Sequence, residues 1–196
     1  MKTLFKSLFL FFIFGVSIII FPSCEKKSIS KSTSDDELSE YYYWSAGHKI
    51  YVTLQKGAYI IKLDEGVSRA ELGGTLSTKI YPYFSDSLAA IFSEQLTIDD
   101  LKSTEGIKNA MNRFRQGESP FDLTGEILIQ PKPDIDIIEL VKITNNRAFV
   151  QEKTIYNTYV LYTEDWDKIF DYANRLYESG LVEYSHPNFR TPLLFP

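Results

Sequence analysis

One cysteine, Cys24, stands in 196 residues, so no intrachain disulfide can form and any fold must be held by its core. The two histidines, His48 and His186, lie far apart and have no cysteine partner, which leaves no zinc-ligand spacing. The acidic pairs Asp99 with Asp100 and Asp134 with Asp136 lack the glycine and glutamate that complete a calcium loop. They suit helix starts, where negative charge is favoured. Gly73-Gly74-Thr75 is not followed by Gly-Lys-Ser or Gly-Lys-Thr, so it reads as a turn rather than a phosphate loop. No metal or cofactor is therefore expected. Internal repeats are absent. Basic residues are in deficit, 21 against 26 acidic, which leaves no basic face for phosphate and disfavours nucleic-acid binding.

The chain does have a basic start, Lys2 and Lys6, followed by an apolar run from Leu8 to Phe21 that is 14 residues long. A membrane-spanning helix needs about 20 apolar residues, whereas a basic start with a short apolar core describes a secretory signal. Phe21-Pro22-Ser23-Cys24 then resembles the bacterial lipobox, in which a small residue precedes the cysteine that receives diacylglycerol. Phe21 and Pro22 depart from its commonest form, and an ordinary signal peptide followed by a chance cysteine is the other reading of the same residues. The expectation is a signal peptide over residues 1–23, lipidation of Cys24, and a membrane anchor facing outside the cytoplasm. Residues 24–40 are Ser- and charge-rich and read as a flexible linker. Within them Ser34-Asp35-Asp36-Glu37 is open to two readings, a surface-export signal or a plain solvated stretch. Loss of Lys2 and Lys6 from the 21 basic residues leaves 19 against 26 acidic, a mature net charge of −7.

Residues 41–196 are enough for one compact domain or two small ones. Ile50, Val52 and Leu54 alternate with Lys49, Tyr51 and Thr53, the two-residue period of a half-buried strand. Gln55-Lys56-Gly57 and the run Ala58 to Leu63 then predict a small antiparallel β meander. From Asp64 to Asp122 the pattern is broken by Gly66, Gly73 and Gly74, and Tyr81-Pro82-Tyr83 suggests an edge or bend. Leu88, Ile91, Phe92 and Leu96 share a helical face, and Ile98 to Phe114 begins with acids as a helix would. Gln116 to Pro120 marks a possible boundary. Beyond Glu126 the spacing predicts a strand at Ile127 to Ile129, a helix over Asp134 to Ile143, and two strands in Ala148 to Thr163 split around Lys153 to Asn157. A helix through Trp166, Ile169, Phe170, Ala173, Leu176 and Tyr177 follows, closed by Gly180, with a last strand at Leu181 to Tyr184. The fold class expected is α+β, with a ferredoxin-like split βαβ (βαββαβ) over residues 123–189 behind a β-rich part over 41–122. Such a sheet carries both helices on one face and leaves the other to meet something.

Ala173-Asn174-Arg175-Leu176-Tyr177-Glu178-Ser179-Gly180-Leu181-Val182-Glu183-Tyr184-Ser185-His186-Pro187-Asn188-Phe189 resembles the end of the N-terminal prodomain of secreted subtilisin-like serine proteases. The matching positions are Glu178, Gly180, Glu183, Tyr184, Pro187, Asn188 and Phe189. Tyr41-Tyr42-Tyr43-Trp44 with Gly47, Lys49 and Ile50 is similar to the start of such prodomains in Bacteroidetes proteases. Ser185-His186 departs from the usual Ala-Glu. In the family a catalytic domain follows. Here the sequence runs seven residues past Phe189 to Pro196, has no Gly-Thr-Ser stretch, and offers no triad from His48 or His186.

The resemblance implies a protein without catalytic activity that binds and inhibits a subtilisin-like protease, or assists its folding. The sheet face would dock on the protease. An extended tail, residues 190–196, would enter its cleft as an added strand, with Leu193, Leu194 and Phe195 filling pockets and Pro192 and Pro196 stiffening it. With the anchor at Cys24, the expected location is the cell envelope, outer membrane or surface of a Gram-negative bacterium. Two other readings stay open: a surface module whose Tyr41 to Trp44 aromatics stack on a glycan or bind a peptide, and a remnant of a truncated protease precursor.

Overall fold

The computed structural model describes residues 41–78, 80–83 and 85–190, with side chains except at 82, 83 and 86. It is a mixed helix and strand fold with antiparallel pairing, α+β in class. Strands β1 (Tyr42–Ser45) and β2 (His48–Tyr51) form a separate two-stranded sheet. Ala46 and Gly47 between them have φ of 48° and 79°, the pair of positive values that a tight hairpin turn demands.

The main sheet runs in the order β4 (Ile80–Tyr83), β5 (Ser85–Phe92), β3 (Thr53–Leu63), β6 (Ile107–Gln116), β7 (Ser119–Pro131), β9 (Tyr159–Thr163), β8 (Ala148–Lys153), with β10 (Val182–Arg190) paired to β7. Alternate residues of β3 feed opposite cores: Tyr59, Ile61 and Leu63 join one with Leu72, Ile91 and Leu101, while Ile60 joins the other with Met111, Phe114 and Phe121. Small helices α1 (Arg69–Thr75) and α2 (Ile98–Ser103) belong to the first core through Leu72 and Leu101.

Four expectations for the first half are corrected. Leu88 to Leu96 is not a helix: residues 85–92 are β5, because Ala89 and Ile91 serve one core and Ala90 the other. The helix at Ile98, capped by Thr97 and Asp100 bonding reciprocally, ends at Ser103 instead of Phe114. Gly106 at φ +87° turns the chain, and a β-branched or bulky residue there would meet strain and the Val67 side chain. Gln55-Lys56-Gly57 is a bulge inside β3 rather than a meander turn, and β3 pairs with β5 and β6 while β2 pairs only with β1. Finally, Gln116 to Pro120 is the β6–β7 hairpin, with Gln116 opposite Ser119. Strand β7 then runs unbroken across the expected boundary at residues 122 and 123.

The second half follows the expected element order more closely. Helix α3 (Ile137–Ile143) starts where Asp136 accepts from the Ile138 N–H at 2.9 Å. Helix α4 (Ile169–Glu178), entered through a 3-10 turn at Trp166–Lys168, buries Ile169, Phe170, Ala173 and Leu176. Gly180 follows at φ +73°, the left-handed position that ends it. These side chains share a core with Ile127, Ile129, Leu140, Leu161 and Val182. Strand β10 extends further than Tyr184, through the proline, to Arg190. Pro187 has no N–H to donate, and β10 tolerates it as a strand paired, among the described residues, on one side only, to β7.

Candidate protein-docking face

Strands β10, β7, β9 and β8 lie side by side, each antiparallel to its neighbour, and successive residues point to opposite faces. Ile127, Ile129, Leu161 and Val182 point to the side where α4 packs. The register puts another set on the reverse face: Phe149 opposite Tyr162 opposite Glu126, Val160 opposite Leu128 opposite His186, and Tyr184 opposite Gln130. Phe149 is 54% exposed, and Leu128, Tyr184 and His186 are half-buried. A groove of about 430 Å³ opens onto this face, lined by Lys62, Leu88, Glu126, Phe149, Tyr162 and Arg190 among others.

The polar centre of the face is Glu126. Its carboxylate accepts from Asn188 Nδ2 at 2.7 Å, Thr124 Oγ1 at 3.1 Å and Gln151 Nε2 at 3.4 Å, so neutral donors from β7, β8 and β10 fix its orientation. Beside it Lys62 Nζ donates to Tyr162 Oη at 3.0 Å and lies 4.5 Å from that ring's centroid. The arrangement is a shallow, mostly polar surface in which Phe149 and Tyr162 sit among charged side chains and the preset Glu126, suited to recognition by contact.

Each motif residue has a definite place. Glu178 ends α4 and accepts from Trp44 Nε1 at 3.0 Å and Tyr42 Oη at 3.4 Å. Glu183 is exposed at a register shift between Val182 and Tyr184. Tyr184 shares a 2.6 Å hydrogen bond with Thr158 Oγ1 and stacks on His186, centroids 5.6 Å apart. Pro187 is buried opposite Ile127. Asn188 sits at a second register shift, its carbonyl accepting from Thr124 Oγ1 at 3.3 Å. Phe189 stacks on Phe121 at 4.1 Å. The structure thus gathers Tyr184, Asn188 and their neighbour His186 on or beside one face, and sets Glu178 and Gly180 at the far end of α4. Cys24 and the tail residues Pro192, Leu193, Leu194, Phe195 and Pro196 lie outside the described residues.

Two buried features escape sequence reasoning. Arg113 and Asp122 form a bidentate pair at 2.6 and 2.8 Å, with the Asp122 residue 1% exposed. Trp166, also 1% exposed, lies so close to Gly125 that a Cβ there would be 2.2 Å from Nε1. An isolated glycine inside a strand is the one sequence signal that points to such an approach. A third constellation pins β8 and β9 to α4: Arg147 donates twice to Asp165 at 2.7 Å, and Tyr172 Oη donates to it at 2.9 Å. The Arg147 hydrogen bond holds the Asp165 carboxyl below its ordinary range, while burial pushes the Tyr172 hydroxyl up.

Of the Tyr41 to Trp44 aromatics Tyr41 is exposed and the other three are engaged. Tyr43 is buried, Trp44 stacks on Tyr177 at 5.2 Å, and Lys49 Nζ sits 3.9 Å over the Tyr42 ring. Asp100 and Asp136 serve as helix caps, and no group of three or more His, Cys, Asp or Glu side chains converges among the described residues. Nor is any helix among the described residues long and apolar enough to cross a membrane. The chain matches no protein-family model, no curated protein and no solved structure.

Proposed function

We propose that this chain is a lipid-anchored, non-catalytic, prodomain-like protein that binds and inhibits a subtilisin-like serine protease in the cell envelope, or assists its folding. The observation that carries the reading is the face of the β10-β7-β9-β8 sheet opposite α4, where Phe149 is 54% exposed and Tyr184 and His186 are half-buried beside the buried Tyr162. The order strand, helix, strand, strand, helix, strand from Glu126 to Arg190, with those strands arranged 4-1-3-2, supports reading this part as a ferredoxin-like split βαβ. In this reading the sheet face rests on the protease, and the segment after Arg190 enters the cleft as an added strand. Cys24 holds the protein at the outer membrane or cell surface, where tethering raises its effective concentration toward an anchored partner.

The test is inhibition of exported subtilisin-like proteases from the same cell by residues 25 to 196, with and without Leu193 to Pro196, alongside refolding of the denatured protease. Inhibition or faster refolding supports the reading, and neither across several such proteases rejects it. The glycan reading has less to rest on, because Tyr43 is buried on Phe121, one face of Trp44 is stacked on Tyr177, and Lys49 sits over Tyr42.

A further inference from the structure

We propose that the groove where the main sheet splits is a binding site for one carboxylate carried on a peptide segment, received by Lys62 and Lys108, an inference that rests on the docking reading only for which protein supplies the segment. The split follows from the ladders. Strands β6 and β7 pair only at Phe114 to Gln116 with Ser119 to Phe121, beside their hairpin. Further along, β6 stays on β3 as far as Ile107, while β7 takes β9 over Glu126 to Ile129. Side chains bridge the parted strands: Asn109 Nδ2 donates to the Glu164 carbonyl at 2.7 Å, and Lys62 Nζ to Tyr162 Oη at 3.0 Å. The groove of about 430 Å³ opens along this seam.

The chain as a whole is acidic, with 26 Asp and Glu against 21 Lys and Arg. Among the described side chains that line the groove the balance is reversed: Lys62, Lys108 and Arg190 face Glu126 and Glu164, one positive charge in excess. No ion pair among the described residues includes Lys62, Lys108, Glu126 or Glu164. Lys62 is held by the neutral Tyr162 hydroxyl and lies 4.5 Å from that ring's centroid, so its ammonium is oriented without being neutralised. Lys108 is exposed, one residue along β6 from the Asn109 that pairs with Lys62. Ser85 and Ser87, their hydroxyls 3.2 Å apart, add neutral donors from β5. The guest's charge is limited by Glu126, which repels a doubly charged phosphate more than a single carboxylate. Phe149, 54% exposed, offers apolar surface that a bare anion leaves unused and a peptide covers.

The experiment titrates residues 25–196 with a blocked peptide that carries one glutamate between phenylalanine and alanine, with its glutamine twin, and with acetate and inorganic phosphate. Amide shifts in nuclear magnetic resonance spectra, including the Gln151 side chain, report the binding. At low ionic strength the glutamate peptide should bind about tenfold tighter than its twin, with shifts at Lys62, Lys108 and Gln151 and a loss of affinity as salt rises. Lys62→Met combined with Lys108→Met should reduce that preference below about twofold, and Lys108→Met alone, at an exposed site, should already cut it about threefold. Lys132→Met combined with Lys142→Met removes the same charge outside the groove and should leave the preference intact. Equal affinity for the two peptides, no saturation by about 10 mM, equal loss in the two double variants, or a response to acetate or phosphate as strong as to the peptide overturns the proposal. If the glutamate peptide binds as stated and no subtilisin-like protease does, the protease reading falls and the groove assignment stands.

Discussion

Gly125→Ala is the substitution with the most determined outcome. The new Cβ would lie 2.2 Å from Trp166 Nε1, 2.7 Å from Cε2 and 3.0 Å from Cδ1, on a backbone whose φ is +81°. The conformational part costs on the order of 1 kcal/mol for a residue with a Cβ. Forcing an atom into a packed core adds about 1–3 kcal/mol. Trp166 cannot swing away freely, because it is 1% exposed within the larger core. The sum, about 2–4 kcal/mol, lowers the melting temperature of a domain this size by roughly 5–15 °C. Urea unfolding followed by far-ultraviolet circular dichroism measures it. A second variant sharpens the result: Trp166→Phe removes the atoms nearest the new methyl, so Gly125→Ala should cost at least about 1 kcal/mol less in that background. A loss below about 0.5 kcal/mol for Gly125→Ala alone, or strict additivity with Trp166→Phe, refutes the close-approach reasoning.

Arg113→Ala removes the bidentate partner of the buried Asp122 carboxylate and should destabilise by about 3–5 kcal/mol in denaturant titration, while replacing both residues with Met and Leu should cost much less. Asp165, held ionised chiefly by the Arg147 hydrogen bond, has a folded pKa below its unfolded one. Its stabilisation is therefore present above the unfolded carboxyl range near 4 and lost as pH falls through the folded value. Asp165→Asn should lower stability at neutral pH and flatten the acid limb of the stability curve; an unchanged acid limb contradicts this. Cys24→Ser should release the protein from membranes into a soluble fraction, with retention in the pellet counting against lipidation.

Helix α4 is legible in the sequence because its apolar residues recur at three and four and Gly180 stops it, with no tertiary partner asking for another conformation. Strands β8 and β9 and the stretches Ile127 to Ile129 of β7 and Val182 to Tyr184 of β10 are legible for a similar reason, short Val-, Ile- and Tyr-rich runs set off by turn residues, whereas the first half of β7 and the end of β10 are not. Strands β5 and β6 are not, since each has apolar residues on both faces to serve two cores, and that doubled pattern mimics a helical stripe. The Glu126 centre is illegible for a different reason: its donors Gln151 and Asn188 lie 25 and 62 positions away and meet only when β8 and β10 have found their places. Tyr43 shows the same dependence. A run of four aromatics at the start of the domain suggests a platform, but the fold buries Tyr43 against Phe121 and spends the Trp44 ring on Tyr177.

The proposed docking face is tested most directly by calorimetric titration of residues 25 to 196 into an exported subtilisin-like protease from the same cell, comparing wild type with Phe149→Asp. Phe149 is 54% exposed, so the substitution should leave unfolding stability within about 0.5 kcal/mol of wild type. Placing a charge in the centre of a buried contact should weaken binding by about thirtyfold or more. Binding by wild type that is lost in a fully folded Phe149→Asp protein is the predicted result. Equal affinity of the two proteins, or no binding by wild type to any such protease, contradicts the account.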